Sequence, residues 1–211
     1  MSTTEPTSKE RAKQALDSTK DDMEQFDSRA PELIQRAREF HSKACNALKD
    51  NVPSDLANYL AHYGADAKLE NFLACVEKIP KDVDYPSQRY QHTFIQLEFD
   101  QLAARPDPNP TKDNDSYDAI WKLATTINED LSINIGFLNE LDEKLDKWEQ
   151  KLQYILHKFT EARLWKRSRI PEICDDLHTF IASVYVPVHP WKPRPQDDPR
   201  FRDGIQISPA G

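Results

Sequence analysis

The chain has 211 residues, of which 38% are hydrophobic and 30% are charged, and only 4 are glycine. So few apolar residues and glycines suit a thin helical bundle, and they argue against a β-sandwich or an α/β enzyme built on tight turns. The net charge of -8 argues against bulk attraction to nucleic acid or anionic lipid, although a local basic patch could still bind either. We therefore expect no nucleic-acid partner.

Targeting and redox signals predict a soluble intracellular protein, in the cytoplasm rather than the nucleus. Residues 1–10 lack the apolar segment of a signal peptide. No run of about 18 apolar residues occurs that could form a transmembrane segment. Cys45, Cys75 and Cys174 are an odd number of cysteines at wide spacing, which favours reduced thiols over a disulfide framework.

The first helical region follows residues 1–8, which are polar and predicted to be disordered. After them apolar residues recur with a seven-residue repeat, which predicts two helices or one bent helix. Pro31 cannot donate a backbone hydrogen bond and would clash with the carbonyl of Asp27. We therefore predict a break at residues 27–30.

Shorter helices follow, bounded by prolines. Residues 54–79 predict helical structure interrupted at Gly64, and Pro80 closes it. Another helix opens at Pro86, and its predicted inner face consists of Tyr90, Phe94, Leu97 and Leu102. Residues 106–115 hold three prolines and three aspartates, so they predict an exposed linker, after which Asp115 or Ser116 caps the next helix.

The fold is organised around residues 117–165, which predict a single helix of about 50 residues. If Tyr117 is position a of a heptad, every a and d position is apolar except Asn134. At about 1.5 Å per residue this helix would reach roughly 75 Å. The sequence therefore predicts an all-α, elongated helical bundle built around one long heptad-patterned helix.

The heptad leaves two arrangements open. Lys144 and Lys151 at g with Glu149 at e are typical of an intermolecular coiled coil. Trp148 at d and Phe159 at a are bulky for a two-stranded seam, and the other helices need a partner face. We expect a bundle within one chain, with a homodimer through the long helix as the alternative.

Asn134 also has two interpretations. A buried Asn134 would fix the register of the helices, whereas an exposed one would face solvent at a bend. Gly136 lies two residues later and costs about 1 kcal/mol against alanine in a helix interior. We therefore expect a kink or local unwinding at this point.

The C-terminus divides into a short helix, ended by Pro187, and a tail. Residues 187–211 hold too many prolines to be helical and predict an extended, partly polyproline II segment. The predicted organisation is thus a bundle over residues 9–186 followed by this proline-rich tail.

The tail begins with a PxxPxK motif of the kind that SH3-type grooves bind. Its predicted binding residues are Pro187, Pro190, Trp191 and Lys192. In the other interpretation, Trp191 and Phe201 fold back onto the bundle and hold the tail there.

A basic cluster ends the long helix. It consists of Arg163, Lys166, Arg167 and Arg169, with Trp165 among them. Positive charge at a helix C-terminus complements the helix dipole, which is a structural explanation. The functional explanation is a docking point for an acidic partner segment or a phosphate.

Two His/Cys pairs have the i, i+4 spacing that places both side chains on one helix face. Brought together, they would form a tetrahedral Cys2His2 zinc site. The candidate ligands are His41, Cys45, Cys174 and His178. A half-buried histidine beside a small apolar cysteine needs no metal, however, so we predict neither a metal nor another cofactor.

No catalytic motif is present: paired carboxylates, phosphate-binding loops and nucleophile elbows are all missing. We therefore predict a non-enzymatic scaffold or adaptor subunit of a larger assembly, binding protein partners through helix faces and the proline-rich tail. The alternative is a small-molecule or lipid-binding bundle with an aromatic-lined cavity, which could serve an enzyme. The cavity residues would be Tyr59, Tyr63, Phe72, Tyr90 and Phe94.

Overall fold

The computed structural model describes residues 5–53, 64–106 and 109–187, which fold into helices without a strand. The helices are α1 (Ser8–Asn51), α2 (Ala65–Asp82), α3 (Tyr85–Ala103), α4 (Pro110–Trp165) and α5 (Ile170–Ala182), with a 3-10 turn at Arg167–Arg169. The prediction of an all-α fold around one long helix is confirmed. Within these ranges, none of the helices is long and apolar enough to cross a membrane.

The long helix α4 has 56 residues, or about 84 Å, and begins earlier than predicted. Asn109 is its N-cap, since the Asn109 side chain accepts a hydrogen bond from the backbone N–H of Lys112 at 3.3 Å. Pro110 is the first helical residue, where a missing N–H costs nothing. The predicted linker over 106–115 is therefore wrong from Pro110 onward, because the prolines and aspartates there start a helix.

Helices α1 and α4 lie side by side and parallel. Contacts between them keep a nearly constant separation in sequence: Arg11 binds Asp118, Arg36 binds Asp146, and Arg163 binds the carbonyl of Asp50, at separations of 107, 110 and 113 residues. The N-termini of both helices are thus at one end of the bundle, and both C-termini are at the other.

Helices α2 and α3 run back, antiparallel to this pair. Near one end the Phe72 ring of α2 lies 6.0 Å from the Phe40 ring of α1. Further along, the Tyr85 hydroxyl donates to the Met23 carbonyl at 3.2 Å. Beyond it, a ring nitrogen of His92 lies 3.3 Å from the Leu16 carbonyl oxygen. In the described part of the chain, α1, α4 and the α2–α3 segment form a three-helix bundle. Helix α5 adds a fourth layer at the end that holds the C-terminus of α4.

The heptad seam of α4 is the core of this bundle. All the predicted a and d residues are buried except Trp148, which is half-buried. Leu131, Leu141 and Leu145 are fully inaccessible to solvent within the single chain. The same seam would have to open before it could serve a homodimer, so the packing agrees with a bundle within one chain.

Helix α1 is continuous, and the predicted break at residues 27–30 is wrong. Pro31 lies inside the helix, where a proline costs about 3 kcal/mol. The residues around it bury Phe26, Ala30 and Leu33, and each large side chain contributes about 1.5–3 kcal/mol. Burial on both sides of the proline therefore offsets its cost. Pro80 in α2 is likewise helical rather than terminal.

The start of α1 is ordered from Thr7, not disordered to residue 8 as predicted. Thr7 and Glu10 form a capping box: the Thr7 hydroxyl accepts from the Glu10 N–H, and the Glu10 carboxylate accepts from the Thr7 N–H at 2.8 Å. The Thr7 hydroxyl also donates to this carboxylate at 3.0 Å, and the two hydrogen bonds that the carboxylate accepts, from the Thr7 N–H and the Thr7 hydroxyl, lower the pKa of Glu10. Residues 1–4 lie outside the described part of the chain.

Asn134 is fully buried, so the first of its two interpretations is correct. Its amide nitrogen donates to the Gln88 side-chain oxygen of α3 at 3.3 Å. The predicted unwinding is wrong, because the helix continues through Gly136. A polar pair buried between α3 and α4 selects the register in which these two side chains meet.

Helix α3 presents a different face to the core from the one predicted. Its buried residues are Tyr85, Gln88, His92, Ile95 and Phe99. The core needs Gln88 to pair with Asn134 and His92 to meet a backbone carbonyl, so polar residues point inward. Tyr90, Phe94 and Leu97 therefore lie on the opposite, exposed face, and only Leu102 is partly buried.

Candidate protein-binding site

The basic cluster lies where two helices end together. Because α1 and α4 are parallel, their C-terminal carbonyls and the negative ends of their dipoles share one end of the bundle. Arg163 serves this junction, since its guanidinium donates to the Asp50 carbonyl in the last turn of α1 at 2.7 Å. The structural explanation of the cluster therefore holds for Arg163, which acts as a cap for the neighbouring helix.

Trp165, Lys166 and Arg169 of the cluster line a notch between the end of α4 and the start of α5. The notch has a volume of about 240 Å³. It is lined by Lys158, Glu161, Ala162, Trp165, Lys166, Arg169 and Ile173, and we refer to it as the Trp165 notch. Ala162 and Ile173 are buried and form its apolar floor, while the charged residues form its rim.

Two of the rim cations are already paired. Lys158 donates to Asp176 of α5 at 3.0 Å, and this hydrogen bond raises the pKa of Lys158. Arg169 lies 3.4 Å from Glu172. Both pairs are largely solvent-exposed, so each contributes little to stability. Their main effect is to orient the cations around the notch.

Lys166 and Arg167 are exposed, and neither has an ion-pair partner among the residues that the structure describes. Lys166 ends α4 as its C-cap, and Arg167 opens the 3-10 turn. Unpaired cations at such a corner retain their full capacity to bind an anionic group.

Large apolar side chains beside the notch are exposed. The Trp165 side chain is 83% accessible and that of Leu164 is 69% accessible. An indole is among the most effective anchors in protein interfaces, because it buries a large apolar area and still offers an N–H donor. The notch thus combines an apolar floor, an aromatic wall and a basic rim.

The four candidate zinc ligands lie at the same end of the bundle but are not brought together in one cluster. His41 lies 3.7 Å from Cys45 and 3.2 Å from Glu70, whereas the Cys174 thiol is 3.9 Å from the Asn51 carbonyl. Over the described ranges, no group of three or more potential ligands could hold a metal.

Cys45 and His178 line a larger cavity of about 550 Å³ at this end, together with Leu48, Val52 and Ala65. Burial raises the pKa of the Cys45 thiol and lowers the pKa of His178, so both side chains are held in their neutral forms.

The predicted aromatic cavity is not assembled from the residues that can be placed. Phe72 is buried between Phe40 and Trp148, with ring separations of 6.0 and 5.6 Å, so it is plain core. Tyr90 and Phe94 are on the exposed face of α3, away from Phe72. Tyr59 and Tyr63 lie outside the described residues.

Of the predicted tail motif, only Pro187 is described, and it is buried. Pro190, Trp191 and Lys192 lie outside the described residues, as does Phe201. The residues just before the tail are held in place: the Tyr185 ring lies 6.3 Å from the Trp148 ring and accepts Lys144 over its face at 4.6 Å.

Sequence reasoning missed the exposed apolar face of α3. A helical spacing of large apolar residues was interpreted as core, although the neighbouring Gln88 and His92 were the residues that pack inside. Two polar residues in register with Ile95 and Phe99 were the only signal that could have shown this.

No protein-family model matches this chain, and neither does any curated protein or solved structure.

Proposed function

We propose that the chain is a non-enzymatic helical scaffold that binds an acidic segment of a protein partner in the Trp165 notch, the segment inserting one large apolar side chain. The observation that carries the proposal is the exposure of the Trp165 indole beside two unpaired cations. Leu164 next to it is 69% accessible, and adjoining exposed apolar side chains rimmed by charged residues are typical of protein-interaction sites.

The dimensions of the notch favour a peptide over a large ligand. A volume of about 240 Å³ holds one or two side chains, below the range of about 300–1,000 Å³ usual for drug-sized ligands. The floor of Ala162 and Ile173 selects an apolar side chain. Lys166 at the rim, with Arg167 next to it in the sequence, favours carboxylates near that side chain, and a phosphate would satisfy these cations equally well.

The scaffold hypothesis also accounts for the rest of the molecule. Long parallel helices with a filled seam make a stiff rod, and a rod holds its two ends a fixed distance apart. Tyr90 and Phe94 face outward, which favours the scaffold over the alternative of an aromatic-lined ligand cavity. The proline-rich tail remains a second predicted contact for partners.

Selection from a random peptide library against the immobilised full chain tests this function. We expect the selected peptides to carry a large apolar residue flanked by Asp or Glu, and to lose binding to the Trp165→Ala variant. The matched control is Tyr154→Ala, which removes another exposed aromatic side chain from the same helix. Peptides without acidic residues, or peptides that bind Trp165→Ala as well as the wild type, would refute the proposal.

A further inference from the structure

Helix α3 carries a row of large apolar side chains that nothing among the described residues covers. Tyr90 is 74% accessible, Phe94 is 45% accessible and Leu97 is 56% accessible. They lie on the side of the helix opposite the buried residues His92 and Ile95, which pack against α1 and α4. We call these three residues the α3 face.

The spacing of the α3 face is that of a helix-packing seam. Tyr90, Phe94 and Leu97 stand four and then three residues apart, which is the alternation by which one helix packs along another. The neighbouring exposed positions, Thr93 and Gln101, are uncharged. In a chain with a net charge of -8, this neutral strip is where a second protein surface can approach at least electrostatic cost.

The charges along α3 indicate the direction of the helix that fits it. Its first half has Arg89 and no acidic residue, and its second half has Glu98 and Asp100 and no Lys or Arg. A second α3 laid antiparallel places Arg89 of each copy toward Asp100 of the other, whereas a parallel copy places like charges together. The face is therefore complementary to itself under two-fold symmetry.

We propose that α3 packs antiparallel against α3 of a second copy of this chain, with the two-fold axis beside Phe94. The ion pairs that Arg89 and Asp100 already make do not prevent this. Arg89 lies 3.3 Å from Asp27, with both side chains largely exposed, and among the described residues the Asp100 carboxylate accepts a side-chain hydrogen bond from Gln96 alone. Each therefore keeps donors or acceptors free for the second copy.

The size of the face sets the strength of the dimer. An aromatic side chain offers about 150–250 Å², so the exposed parts of the three residues amount to roughly 300 Å² per copy. Stable interfaces bury about 800 Å² per partner. The dimer is accordingly weak and forms at high protein concentration. Because the seam of α4 is already filled, it forms without any rearrangement of the bundle.

Sedimentation equilibrium of the full chain at low salt, from about 10 to about 500 µM, tests the proposal. The weight-average mass should rise from 24.4 kDa toward twice that value. Phe94→Glu should remain monomeric throughout. Tyr154→Glu, which places the same charge at another exposed aromatic position, should associate like the wild type. Circular dichroism confirms that each variant is folded.

A charge exchange then tests the antiparallel direction. Arg89→Glu should weaken the dimer about tenfold. The introduced carboxylate of each copy would face Asp100 of the other, and the symmetry repeats this repulsion twice. Adding Asp100→Arg to the same chain should restore the wild-type affinity. A monomeric wild type, a dimer unaffected by Phe94→Glu, or a charge exchange without rescue would each overturn the proposal. In a further outcome the wild type stays monomeric and only the Trp191→Ser variant associates through Phe94. The tail, and not a second copy, would then occupy the α3 face in the wild type, which also overturns the proposal.

Discussion

Replacing Leu145 by alanine should destabilise the molecule more than any comparable change on the surface of α4. Leu145 occupies an a position of the seam and has 0% of its surface exposed. Removing a buried leucine side chain loses its transfer free energy and leaves a cavity, at a cost of about 2–5 kcal/mol. For a chain of this length each kcal/mol lowers Tm by about 2–4 °C, so we expect a fall of about 4–20 °C.

Leu164→Ala is the matched control, since it is the same substitution in the same helix at a side chain that is 69% exposed. A surface change of this kind should alter the free energy of unfolding by no more than about 0.5 kcal/mol. Urea denaturation followed by circular dichroism at two protein concentrations measures both variants. Equal losses for Leu145→Ala and Leu164→Ala would refute the packing described here. A loss at Leu145 that disappeared at high concentration would show that the seam belongs to a dimer.

Four further predictions concern Gly136, the Asn134–Gln88 pair, Arg36 and the overall shape. Gly136→Ala should stabilise the protein by about 0.5–1 kcal/mol in chemical denaturation, because Gly136 is in an exposed helical position where an added Cβ meets nothing within 4 Å. Asn134→Leu alone should cost about 1–3 kcal/mol by stranding Gln88, whereas the double change to leucine at both positions should recover most of the loss, which a double-mutant cycle measures. Arg36→Ala should cost about 1 kcal/mol at low salt and less at high salt, because it leaves three carboxylates facing one another without a counter-charge; these are Asp142, Asp146 and Glu149. Small-angle scattering should give a radius of gyration well above the roughly 17 Å of a compact domain of this length, and a spherical profile would contradict the rod.

Periodicity alone was sufficient to predict the helical class and the seam of α4. A repeat sustained from Tyr117 to Ala162 corresponds to one continuous buried stripe, and strands cannot bury such a pattern. The seven-residue repeat of apolar residues in α1 is buried for the same reason. Periodicity describes one helix at a time, however, and it says nothing about which helix lies beside it or in which direction.

The errors arose where contacts between helices override local preference. Pro31 stays inside α1 because Phe26 and Leu33 are buried on both sides of it. The α3 face turns outward because Gln88 must meet Asn134 in the core. Neither outcome can be derived from its own segment. The outcome for α3 depends on Asn134, which is 46 residues from Gln88, and the outcome at Pro31 depends on residues of other helices.

For the candidate site too, local features could be predicted from the sequence and contacts between helices could not. The sequence located the basic cluster and Trp165, because both lie within a few residues of one another. It could not show that Arg163 caps α1, because that contact joins residues 113 positions apart. Nor could it show that Ala162 and Ile173 form the floor of a notch, since Ile173 belongs to a different helix. The parallel arrangement of α1 and α4 is what distinguishes Arg163, which has a structural role, from Lys166 and Arg167, which are available to a partner.

The most direct test of the proposed function is an isothermal titration of the full chain with an acidic peptide selected against it, compared between wild type and Trp165→Ala. Loss of an exposed aromatic anchor should weaken binding by at least about 2 kcal/mol, or roughly thirtyfold. Affinity for the wild type should also fall as salt rises, because Lys166 and Arg167 contact carboxylates in solvent. Unchanged affinity in Trp165→Ala, at any salt concentration, would contradict a partner site at the Trp165 notch.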